Sequence, residues 1–185
     1  MMVAKGPQTR VLPEEPELRS FSPLAQIAPT EFYLELTTTS GKAGNIPGEQ
    51  RIPLEALNVA QEFWGWPEAY TESINPRKGL DAPGPRRVYL ERKPAWRVHS
   101  VSDPKKDVTV GVRMYYVEAN SDFRFHSGDL AAWAHGGDMV RITRVEDKPY
   151  LYDCALAVAG TLEHGQWKAL CKPSSDRSPR AFGYS

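Results

Sequence analysis

The chain has 185 residues, 41% of them hydrophobic and 25% charged, enough for one domain with a real core, with or without tails. Lys and Arg number 23 and Asp and Glu also 23, so the balance is not that of a non-specific polyanion binder, whose affinity comes mostly from neutralising phosphates. It leaves open a sequence-specific reader with a local basic face, and the stretch from Arg77 to Arg97 is locally basic.

In chain order, residues 1–29 show no sustained periodicity and contain Pro7, Pro13, Pro16, Pro23 and Pro29, which predicts an N-terminal extension. The start, MMVAKGPQTR, carries no apolar signal-peptide core. Glu31 to Thr38 is the first predicted strand, with Phe32, Leu34 and Leu36 on one face. Thr37 to Gln50 is rich in glycine, a loop that is either a bystander or a binding arm. Gln50 to Ile52 predicts a short strand. Pro53 then sits at a helix start, Leu54, Leu57, Ala60 and Trp64 form an apolar stripe, and Gly65 ends the helix. Glu68 to Pro85 reads as loop. Val88 to Leu90 and Trp96 to Val101 read as short strands around Pro94.

The most informative stretch is Val108 to His126. Val108, Val110, Val112, Met114 and Tyr116 alternate with Thr109, Gly111, Arg113, Tyr115 and Val117, the pattern of a strand buried on one face. Glu118 to Ser121 supplies turn chemistry. Asp122 to His126 then places Phe123 and Phe125 on one side and Asp122, Arg124 and His126 on the other. A regular hairpin sets Tyr115 opposite Arg124 and Arg113 opposite His126. Its polar face is a solvated surface, an active site or a binding surface. Ser127 is the expected cap of a short helix, Met139 to Val145 and Tyr150 to Val158 are strands, and beyond Ala159 the pattern fades into an appendage or linker. About seven strands with two short helices predict a mainly β fold, an open or pseudo-closed β-barrel with the helices plugging its ends.

Catalytic patterns are weak. The triplets Glu91-Arg-Lys93 and Glu146-Asp-Lys148 lack an upstream acid on an adjacent apolar strand. The four histidines show no metal-ligand spacing, and Cys154 and Cys171 lack that of a zinc site, so the expectation is reduced thiols in a cytoplasmic protein without a catalytic residue or metal.

FYLEL leading into a glycine-rich arm, GEQRIPLEAL, INPR, VYL, HSVSD, RMYY and the Gly-Asp strand GDMVRI occur in an order that resembles the B3-like DNA-binding pseudobarrel. More narrowly, it is similar to the effector or target-recognition domains of type II restriction endonucleases, of the EcoRII N-terminal type. The resemblance spans residues 30–159, between the extension 1–29 and the C-terminal segment 160–185. It implies a seven-stranded pseudobarrel that grips duplex DNA like a wrench, with two arms in the major groove, where each base pair shows a distinct donor and acceptor pattern.

The first implied arm carries Ser40, Lys42, Asn45, Glu49, Gln50 and Arg51; the second carries Arg113, Tyr115, Glu118, Asn120, Ser121, Asp122 and Arg124. Lys42, Arg77, Lys78, Arg86 and Arg87 are expected phosphate clamps. The second arm is shorter and more acidic than the family pattern. The implied target is a short site such as CC(A/T)GG. The implied partners are double-stranded DNA and a covalently linked nuclease domain, with Mg2+ needed only by that nuclease and the isolated domain a monomer. The alternative is a small β-barrel enzyme, or a carbohydrate- or protein-interaction module.

Overall fold

A computed structural model of the chain describes residues 25–38, 46–74, 87–174 and 180–185. Its elements in order are β1 (Glu31–Glu35), β2 (Glu49–Ile52), α1 (Leu54–Val59), α2 (Gln61–Trp64), β3 (Thr71–Ile74), β4 (Val88–Arg92), β5 (Ala95–Ser100), β6 (Asp107–Gly111) and β7 (Arg113–Val117). A 3-10 turn over Glu118–Asn120 leads to β8 (Asp122–His126), α3 (Gly128–Trp133), β9 (Met139–Arg144), β10 (Tyr152–Ala157), α4 (Leu162–Leu170), β11 (Lys172–Pro173) and β12 (Ala181–Tyr184).

The strands form two sheets. One has seven strands in the order β11-β12-β1-β9-β10-β5-β6, the other five in the order β2-β8-β7-β4-β3. All pairings are antiparallel except β5 with β10. The mainly β expectation holds, but the described strands number twelve rather than seven and form no closed barrel.

The core lies between the sheets. Phe32, Leu34 and Leu36 face it as their alternation predicts, as do Trp96, Val98, Val140, Ile142 and Tyr152 from the larger sheet. Ile52, Met114, Phe123 and Phe125 come from the smaller one. Trp64 is fully buried at the centre, edge-on to Phe32, Phe63 and Phe123, and its indole N–H donates to the Tyr184 hydroxyl at 2.8 Å. Gly65 ends α2 in the left-handed conformation at φ 66°, the expected stop. The single predicted helix is two short ones, parted at Ala60, whose φ of −135° is not helical.

Several expectations are corrected. The strand predicted from Val108 to Val117 is two strands in different sheets: β6 pairs with β5, β7 with β4 and β8, and the chain turns the corner at buried Val112. The neighbouring β4–β5 connection makes the same crossing, and Val112 N–H donates to Pro94 O at 3.0 Å, so the two corners brace each other. Uninterrupted alternation hides such a corner because Val112 is apolar in either geometry. Glu68 to Pro85 is not all loop: Thr71–Ile74 is β3, a polar edge strand without the alternation that marks a half-buried one. Residues 160–185 are not an appendage where described. Trp167 of α4 covers Tyr33, Met139 and Ala155 on the outer face of the larger sheet, and β12 pairs with β1 along Phe32–Leu34. Residues 25–29 run beside the helices, with Ile27 N–H donating to Val59 O at 2.8 Å. No described helix is long and apolar enough to cross a membrane.

The Gly-Asp signature has a structural explanation. Gly137 takes φ 97°, and the buried Asp138 carboxylate accepts from His135 N–H at 2.8 Å and from Ala159 N–H at 2.9 Å. One side chain thereby satisfies two backbone donors from separate loops. Asp138→Ala is expected to lower stability by about 1–3 kcal/mol, read as a fall in the urea midpoint with an unchanged slope.

Candidate nucleic-acid interface

The site is built on the outer face of the five-stranded sheet. Because side chains alternate across a strand, the strand register sets three rows there. Glu49, His126 and Arg113 lie side by side; next come Arg51, Arg124, Tyr115 and Glu91; then Asp122, Val117 and Tyr89. The expected hairpin register, Tyr115 opposite Arg124 and Arg113 opposite His126, is observed. Strand β2 extends it with residues from the root of the first arm.

Arg51 and Arg124 are direct cross-strand partners, and like charges so placed repel. Asp122 resolves the conflict. Its side chain is only 1% exposed, and its two oxygens divide between the arginines: Oδ1 accepts from Arg51 Nε at 2.6 Å and Oδ2 from Arg124 Nε at 2.7 Å. Arg124 Nη2 lies 2.5 Å from the same Oδ2, and its Nη1 donates to Glu49 at 3.3 Å. Burial works against the Arg124 charge, but the bonds to Asp122 and the fields of Asp122, Tyr115 and Glu49 hold its pKa above the ordinary arginine value. The Nη groups of Arg51 have no hydrogen-bond partner among the described residues, and its side chain is 49% exposed. Of the two, Arg51 keeps the outer end of its fork available.

Arg113 is held differently. Its guanidinium lies 4.2 Å from the Tyr115 ring centroid, and its Nε donates to Glu91 at 2.8 Å. Tyr89, Tyr115 and Val117 make a small buried apolar floor under these charges. Together with Arg87 and Asn120 the face encloses a shallow polar pocket of about 110 Å³. Four guanidiniums (Arg51, Arg87, Arg113, Arg124) against three carboxylates (Glu49, Glu91, Asp122) leave one net positive charge.

The residues singled out in the sequence are thus placed unevenly. Glu49, Arg51, Arg113, Tyr115, Asp122 and Arg124 come together on one face. Glu118, Asn120 and Ser121 stand exposed at the hairpin tip, where Ser121 takes φ 47°. Gln50 is on the opposite side of β2, 2% exposed, with its amide bonded to Thr37 and Pro47 backbone. It cannot offer that amide to a base without breaking those bonds. Tyr115, only 4% exposed, is the floor under Arg113 rather than a projecting aromatic. Ser40, Lys42, Asn45, Arg77, Lys78 and Arg86 lie outside the described residues.

Sequence reasoning missed Tyr89, and it weighed Glu91 only as part of a Glu-x-Lys triplet. The signal for both was the alternation of VYLE, which puts them on the same side of β4. Among the described residues no cluster of His, Cys, Asp and Glu forms a metal site. No protein-family model matches this chain, and no curated protein matches it. The arrangement itself is what bears on function: arginines held by carboxylates over an apolar floor, on a sheet face bordered by a hairpin tip.

Proposed function

We propose that this chain binds double-stranded DNA sequence-specifically, through two arms that enter the major groove. In this reading it is the effector or target-recognition domain of a type II restriction endonuclease, built as a B3-like pseudobarrel. The two sheets joined at the braced corners are compatible with such a barrel left open. The domain performs no cleavage itself; a linked nuclease domain, using Mg2+, does so in the cytoplasm, and the isolated domain acts as a monomer on a site of a few base pairs.

The observation that carries this reading is the Arg51–Asp122–Arg124 cluster. Arg51 belongs to the root of the first arm and Arg124 to the second, and one buried carboxylate fixes both. Oriented arginines suit bidentate contact with guanine O6 and N7, and the major groove is wide enough to admit a two-stranded ribbon such as β7–β8. Near-neutral local charge fits a face whose affinity comes from matched hydrogen bonds more than from phosphate neutralisation.

The test is selection from a randomised duplex pool by gel shift at moderate salt. Enrichment of one short site is expected. Retention of no duplex at any salt, or equal retention of all, overturns the reading. On the selected duplex, Arg51→Ala is expected to cost about 1–3 kcal/mol and to relax preference at one base pair, measured by titrating single-base variants of that duplex.

A further inference from the structure

The C-terminal segment reaches the root of the first arm through one side chain. Arg180 stands just before β12, and its guanidinium bridges the two sheets where the arm begins and ends. One Nη group donates to the Glu35 carbonyl at the end of β1 and, at 3.1 Å, to Gln50 Oε1. The other donates to the Arg51 carbonyl in β2.

Gln50 continues the network. Its Oε1 also accepts from Thr37 N–H at 3.2 Å, and its Nε2 donates to Thr37 O at 3.1 Å and to Pro47 O at 3.4 Å. Thr37 and Pro47 flank the arm, so Gln50 ties its two ends and Arg180 ties Gln50 to β1 and to the backbone of Arg51. A planar, forked cation suits this place, because it donates in several fixed directions at once, whereas an ammonium is a single point.

We propose that Arg180 is a positioning residue for DNA recognition, setting the root of the first arm and, through the Arg51 carbonyl, the placement of the Arg51 guanidinium over the sheet face. This rests on the reading of that face as a DNA interface. Arg180 lies across the arm root from the reading face, so it acts on bound DNA through Arg51 and Gln50.

The experiment compares full-chain Arg180→Lys and Arg180→Gln with the wild type, on the duplex the wild type selects and on a scrambled duplex of equal length. Binding is measured well below each variant's thermal midpoint. Discrimination between the duplexes is expected to fall about tenfold in both variants, the scale of one weakened bidentate base contact, with affinity for the scrambled duplex changed little. Arg180→Lys keeps the charge, so a purely electrostatic role predicts wild-type behaviour from it, and a purely structural role predicts a lower midpoint with discrimination intact.

Wild-type discrimination by folded Arg180→Lys overturns the proposal. Should the Arg180 variants not fold, Gln50→Glu serves in their place, since it keeps the acceptor for Arg180 and loses the donors to Thr37 and Pro47. The same selective loss is expected from it, and intact discrimination is again decisive against the proposal. A wild-type chain that selects no duplex removes the DNA reading and this proposal with it; one that selects, with variants equally selective, removes the proposal alone.

Discussion

Asp122→Asn is expected to weaken binding to the selected duplex by about 2–4 kcal/mol while leaving affinity for a scrambled duplex equal or slightly higher. The opposite signs follow from what the carboxylate does. It is almost fully buried and gives one oxygen to Arg51 and the other to Arg124. An asparagine of the same shape has one acceptor oxygen and one NH2 group, so one arginine meets a donor where it had an acceptor. The two guanidiniums, directly opposite across β2 and β8, then repel without the shared carboxylate between them, Arg124 keeping only Glu49 as a counter-charge, and turn away from each other. Both proposed arms lose their preset geometry through one substitution. Removing a negative charge meanwhile raises the net charge of the chain by one, which favours phosphate contact with any sequence.

Stability falls too, by about 2–3 kcal/mol, below the usual 3–5 for breaking a buried pair. The discount is for the arginines, whose side chains are 49% and 33% exposed and regain water when released. Equilibrium titrations of both duplexes, with thermal denaturation of the free protein, check all three parts. Were Asp122 a base reader, as the resemblance implies, the same variant would alter preference at a single base pair and leave stability nearly unchanged.

Asp122 also shows where the legibility of the sequence stopped. Local signals carry a long way: alternation identifies the core face of β1, the pairing of Arg113 with His126 and the inward Phe123 and Phe125, and residue type identifies the Ser127 cap, whose hydroxyl accepts from Leu130 N–H at 3.2 Å. Each of these depends on neighbours within a few residues or on a hairpin whose register its own turn fixes. Asp122 falls on the polar side of that alternation, which carries no sign of its burial. Its burial is the work of Arg51, 71 positions away, which no local pattern reports. Gln50 misleads in the same way. It is polar, stands beside a glycine-rich loop, and spends its amide on the backbone at the foot of that loop. A buried polar side chain is recognisable only from its partners, and here the deciding ones, Arg51 for Asp122 and Thr37 and Arg180 for Gln50, belong to other segments. The corner at Val112 and the edge strand β3 escaped for the complementary reason, one looking too regular and the other too polar.

The C-terminal segment departs furthest from its linker-like composition, since β12 pairs with β1, and its removal is the second strong test. Deleting residues 180–185 is expected to abolish cooperative unfolding at 25 °C. Pro, Ser and charged residues dominate KPSSDRSPR, which resembles a linker in composition, yet the six residues from Arg180 do more for the fold than their length suggests. Without β12, strand β1 loses one of its two neighbours and exposes a row of backbone donors and acceptors. Phe182 and Tyr184 leave their contacts with Phe32, and Tyr184 also leaves Phe63; each aromatic withdrawn from the core forfeits about 1.5–3 kcal/mol. The Trp64 indole N–H and the Ala56 carbonyl lose the Tyr184 hydroxyl, their partner at 2.8 and 2.5 Å. Arg180 goes as well, and with it the clasp between the sheets.

These losses together approach the whole of the roughly 5–15 kcal/mol that stabilises a domain. Near-ultraviolet circular dichroism through a urea titration is the measurement. Tyr184→Phe serves as the graded control, expected to cost only about 1–2 kcal/mol, because it keeps the ring in the core and removes just the hydroxyl. A deletion variant that melts like the full chain would return the segment to the status of a linker. A graded loss in Tyr184→Phe beside a collapse in the deletion would instead place the end of β12 within the core that supports the Arg51–Asp122–Arg124 face.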